Sequence, residues 1–75
     1  MKKIIHFIVS KGDEQYVAEC VELPIVTQGH TIDETIDNIK EALTLHLEDE
    51  NLIDLQIAES PAVSVTFDLG ELEYA

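Results

Sequence analysis

Between Lys3 and Val9 the side chains fall into two alternating sets, Ile5, Phe7 and Val9 against Ile4, His6 and Ile8. Both sets are largely apolar. The stretch predicts a strand buried on both faces, or buried on one with the other open to a partner. Ser10-Lys11-Gly12-Asp13-Glu14 reads as a turn built on glycine. Tyr16–Val21 reads as a second strand, antiparallel to the first across a short loop. Its faces are Tyr16, Ala18 and Cys20 against Val17, Glu19 and Val21, and the small Ala18 and Cys20 mark the face a helix can approach. Glu22-Leu23-Pro24 ends this strand, because proline lacks an amide donor and restricts the residue before it. Ile25–Gln28 predicts a short third strand, and Gly29 is read as a glycine placed for a positive φ on the way to Thr31.

From Thr31 the period changes from two to near four. Ile32, Ile36, Ile39, Leu43 and Leu47 form one apolar stripe, with Asp33, Asp37, Lys40, Glu41 and Glu48 mostly off it, which predicts an amphipathic helix ending at Glu48. Thr31 is the expected N-cap, and Glu34 stands three residues on, where its carboxylate can reach back to the Thr31 amide. Asp33 and Glu34 also suit the positive end of the helix dipole. Leu52–Ala58 fits a short helical turn or an extended packing segment, and Ser60-Pro61 reads as a turn. Ala62–Leu69 predicts the last strand, with Val63, Val65, Phe67 and Leu69 on one face and Ser64, Thr66 and Asp68 on the other. The tail after Gly70 is too short for another element. The order is β-β-β-α-β, a single α+β domain over 1–75 with one helix on one face of a small, antiparallel-rich sheet.

A chain of 75 residues is near the lower limit for folding alone, so oligomerisation is a common supplement. The start, MKKIIHFIVS, lacks a cleavage site and reads as a strand rather than a signal peptide. No run approaches the roughly 20 apolar residues of a membrane span. A single cysteine, Cys20, suits a reducing cytoplasm. Sixteen acidic residues against four lysines and no arginine give a net charge of −12. A chain this acidic lacks the basic face that nucleic acid requires, so direct nucleic-acid binding is not expected. Its charge suits a basic protein partner, whose approach it would steer, or serves solubility alone.

The stretch from Tyr16 to Glu48 carries a resemblance. The strand YVAEC, the turn VELPIVTQG and the helix opening HTIDETIDNIKEAL occur in the order found in HicB-like antitoxins, which this chain resembles over roughly half its length. The resemblance implies a partial ribonuclease-H-like fold. It also implies a role in binding and neutralising a small basic HicA-type toxin that cleaves mRNA. Many HicB antitoxins continue into a DNA-binding domain, whereas this sequence stops six residues past Leu69, so operator binding is not carried over.

Nuclease chemistry on such a fold needs carboxylates converging within a few ångströms, and Glu19, Glu22, Glu41 and Asp68 are the candidates. Glu19 and Asp68 alternate with apolar residues in a way that places them toward solvent, and the first strand offers no acid. An enzyme is therefore not expected. His6, His30 and His46 lack the spacing of a metal site, and Cys20 has no neighbouring base, so no metal or cofactor is expected. Two surfaces remain. Leu23, Pro24, Ile25 and Val26 surround a turn that could meet a partner, and Ile4, His6 and Ile8 on the outer face could meet another copy in a homo-oligomer. The functional expectation is an antitoxin-type binding module. The alternative is a standalone oligomeric domain with a regulatory or ligand-binding role.

Overall fold

The computed structural model describes residues 2–68 and 70, with the side chains of Lys2, Leu52, Ile53 and Glu59 left aside. Four strands and two helices follow one another as β1 (Lys2–Lys11), β2 (Tyr16–Cys20), β3 (Val26–Gly29), α1 (Ile32–Glu48), α2 (Leu52–Leu55) and β4 (Ile57–Asp68). The strands make one mixed sheet in the order β3-β2-β1-β4. β1 pairs antiparallel with β2, Phe7 opposite Cys20 and Val9 opposite Ala18, and β2 pairs antiparallel with β3. β4 returns after the helices and lies parallel to β1, with Ile5, Phe7 and Val9 opposite Val63, Val65 and Phe67. The fold is thus an α+β domain with the expected β-β-β-α-β order and α2 as an added turn of helix.

The alternation in β1 resolves into an inner and an outer face. Ile5, Phe7 and Val9 are buried in one core with Ala18, Ile57 and the helix residues Ile39 and Leu43, while Ile4, His6 and Ile8 face outward. The face bearing Ala18 and Cys20 is the one the helix covers, as their small size implies.

Helix α1 starts where expected, and its details differ. Thr31 Oγ1 accepts the Glu34 amide N–H at 3.0 Å, which makes Thr31 the N-cap. The Glu34 carboxylate takes the amide of His30 at 3.1 Å rather than that of Thr31, so the reciprocal bond closes one residue earlier. The buried stripe runs through Thr35, Ile39 and Leu43, and Ile32 is exposed. The first turn of the helix packs closely on β3 at Gly29. A Cβ on Gly29 would lie 2.5 Å from Thr35 Oγ1 and 2.6 Å from the Thr35 amide nitrogen. Gly29 does not adopt a positive φ; glycine is needed there for close approach. Asn38 Nδ2 donates to the Gln28 carbonyl at 2.7 Å and holds the next turn to the same strand.

Ser60-Pro61 is not a chain reversal. Both residues lie within β4, where the register against β1 slips between the Lys2–Ile57 and Ile4–Ala62 pairs. An edge strand with an irregularity is where a proline is tolerated, since it owes no amide to a neighbour. Leu52–Ala58 divides between the two readings, a turn of helix through Leu55 and then the start of β4, joined by Gln56 at φ 59°. The expected strand position at Leu69, and the tail after Gly70, lie outside the described residues.

Substituting Gly29 by Ala tests the close approach. Backbone atoms of Thr35 block the added methyl, so the cost is expected to be about 1–3 kcal/mol, read as a lower urea midpoint. An unchanged midpoint would contradict the packing described.

Candidate functional site

The hairpin register decides what gathers at the lower end of the sheet. The turn closes with the Gly12 amide donating to the Gln15 carbonyl at 2.7 Å, and the ladder then carries His6 to the level of Val21, whose amide bonds the His6 carbonyl at 2.9 Å. Glu22 follows and reaches the middle of β1 at His6. Its carboxylate accepts the His6 amide at 2.8 Å and lies 2.5 Å from His6 Nδ1. Cys20 Sγ points to the same carboxylate at 3.8 Å.

The cluster orders the loop. Burial pushes the Glu22 carboxyl up, but the His6 amide and ring, with Glu22's own amide, outweigh it and hold the carboxyl below its ordinary value. Burial pushes the Cys20 thiol up, and the Glu22 carboxylate adds to the rise, which keeps the thiol protonated and a poor nucleophile. With both Glu22 oxygens engaged, the cluster anchors the turn, while half of the His6 ring surface stays open.

That anchored turn buries two of the four residues read as a partner surface. Leu23 and Ile25 lie in the core, where the turn is tightened by the Ile25 amide bonding the Leu23 carbonyl at 2.8 Å. Proline at 24 and the short turn point the flanking side chains inward, so Pro24 and Val26 alone stay exposed. The outer-face trio is accessible. Ile4 is 47% exposed and Ile8 45%, joined by Val21 at 62% and Val26 at 68%. Register places Glu19 between Ile8 and Val26 on this face, and Thr66 on the far side of Ile8.

The other carboxylates do not converge. Glu19 on β2 and Asp68 on β4 are both exposed and flank β1, a lateral gap of about 10 Å at the usual strand spacing. Two-metal chemistry needs ions roughly 4 Å apart. Asp68 closes the end of β4, accepting the Gly70 amide at 2.9 Å, and Glu41 stands exposed on α1 beside Asn38 and Leu45. His46 lies 4.0 Å from Glu50, and the His30 amide serves the helix start. Among the described residues no group of three or more His, Cys, Asp or Glu is placed to hold a metal ion. No helix among them is long and apolar enough to cross a membrane.

The sequence reading missed the pairing of Glu22 with His6. The signal was present, since counting outward from the Gly12–Gln15 turn brings residue 6 to the residue before Glu22. A groove of about 380 Å³ between α1 and β4, lined by Leu43, Leu47, Pro61 and Val63 among others, was also not legible. It depends on where the helix lands. Compared with family models, curated proteins and solved structures, the chain has no match in any of the three.

The Glu22 contacts predict a pH dependence of stability. A carboxyl held below its unfolded value stabilises the fold above that value and loses this contribution as pH falls through the folded one. The Glu22→Gln variant should be less stable than wild type near neutral pH, and the gap should close as pH falls below about 4.5, the ordinary value. Parallel stability curves at all pH values would contradict the contacts.

Proposed function

We propose that this chain is a binding module that docks on a small basic protein and neutralises it in the cytoplasm. The partner class suggested by the resemblance is a HicA-type, mRNA-cleaving toxin. The observation that carries the reading is the outer sheet face, where Ile4, Ile8, Val21 and Val26 are exposed around Glu19. Four large apolar side chains held at the surface of so small a protein suit a docking surface better than open water. No lysine side chain among those described lies on this face, so a basic partner meets acid there and little repulsion. The exposed Asp33, Glu34, Asp37, Glu41 and Glu48 of α1 stand on the opposite, helix side and add to the net acidic charge that attracts a cationic protein from a distance.

A second reading is a standalone oligomer with a regulatory or ligand-binding role, in which the outer face, with Ile4, His6 and Ile8, packs against another copy. The half exposure of the two isoleucines favours it as well. The two readings differ in what covers the same residues.

Tagged and purified from its own cells, the chain should bring down a basic protein of about its own size. Acidic steering predicts that the complex weakens severalfold as salt rises from about 50 to about 300 mM. Expressed alone, that protein should arrest growth, and this chain should restore it, whereas the Ile8→Asp, Val26→Asp variant should not. Recovery of the chain with no basic companion would contradict the antitoxin reading.

A further inference from the structure

A separate surface lies along β4, the edge of the sheet opposite β3. Helix α1 lies mainly over β3 and β2, so on the inner face of β4 Ile57 is buried and Val65 half-buried, but Val63 and Phe67 are left uncovered. Val63 is 41% exposed and Phe67 36%, on the same face as the buried Ile5 and Val9 they pair with. Between Glu59 and Asp68 the strand has no charged residue, in a chain with a net charge of −12. Long, neutral, partly apolar edges are what folded proteins normally cover, because their free amides and carbonyls template another strand.

We infer that a second copy of this chain covers it, the two β4 strands pairing antiparallel about a two-fold axis at Val65. The strand is complementary to itself in that register. Val63 and Phe67 stand symmetrically about Val65, so each faces the other's counterpart, and Val65 faces Val65. This makes an unbroken apolar ladder on the helix side. On the outer side Ser64 faces Thr66, and Asp68 faces Ala62, so within residues 62–68 no acid meets an acid. The partner's Phe67 comes to rest on Val63, at the mouth of the groove lined by Pro61, Leu43 and Leu47.

Charge selects the occupant. A basic protein finds no acid on residues 60–67 to attract it, whereas a second acidic copy finds here a strip that does not repel it. Two seven-residue edges with this apolar floor belong at the small end of stable interfaces, near or below about 1,200 Å², consistent with roughly micromolar association. The sheet becomes eight-stranded and continuous, and both outer faces stay open, so the dimer does not depend on the antitoxin reading.

The test is sedimentation of the full chain over a dilution series. Wild type should be dimeric at tens of micromolar and dissociate on dilution. Dimerisation should tighten with salt because the copies repel one another, the opposite sign to capture of a basic partner. The Ser64→Lys, Thr66→Lys variant sets lysine against lysine twice, at exposed sites, and should weaken the dimer about tenfold or more. The Ser64→Lys, Thr66→Glu variant sets lysine against glutamate at the same sites and should remain dimeric, which separates lost pairing from lost folding. A monomeric wild type would overturn the proposal, as would a double-lysine variant that dimerises as tightly as wild type. Dissociation by Ile8→Asp but not by the double lysine would place the second copy on the outer face and overturn it too.

Discussion

The close contact between Gly29 and Thr35 sets the arrangement of the molecule. With no Cβ in the way, the first turn of α1 settles directly onto β3, and Asn38 ties the next turn to Gln28. The helix can then bury Thr35, Ile39 and Leu43 over β1 and β2. Thr35 is satisfied where it is buried, its hydroxyl donating to the Thr31 carbonyl at 2.7 Å, so the contact leaves no orphaned polar group. A helix pinned to one side of a four-stranded sheet cannot also cover the other side. The open groove against β4, and the exposure of Val63 and Phe67, follow from that choice.

Much of this was legible in the residues, and the failures share a cause. Alternation in residues 4–9 assigned the two faces of β1, because strand periodicity is local and exact in its consequences. The small Ala18 and Cys20 indicated the covered face. The helix stripe holds at Ile39 and Leu43, which are buried, and at Leu47, which packs on the core; at its start Ile32 is exposed and the unassigned Thr35 is buried instead. Apolarity alone ranks isoleucine above threonine, and only the glycine contact with β3 reverses that order. Pro61 was read as a turn because proline usually interrupts a strand. On an edge with a register slip it does not have to. Leu23 and Ile25 read as a partner surface because they are apolar residues around a turn taken to be exposed. The grip of Glu22 on His6, which turns them inward, joins residues 16 apart in the chain. In each case the missing term was a contact between elements rather than a property of one.

The acidic balance and the two exposed surfaces divide the functional question. The outer face mixes isoleucine and valine with glutamate, a composition that a basic protein could complement. The β4 edge is neutral and symmetric about one residue, a composition that favours itself. The His6, Glu22 and Cys20 cluster sits between these roles. Its bonds fix the loop on which Val21 and Val26 are displayed. Stability of the turn and the shape of the outer face are therefore coupled.

The central claim is that α1 is held at Gly29 and leaves the β4 side of the sheet uncovered within one chain. The most direct measurement is nuclear Overhauser spectroscopy on mixed labelled and unlabelled protein, which separates contacts within a chain from contacts between chains. The account predicts strong intrachain contacts between the Gly29 α-protons and the Thr35 side chain, and none between Phe67 and Ile39 or Leu43 of its own chain. Intrachain contacts from the Phe67 ring to those helix residues would show the helix lying across β4 and would contradict it.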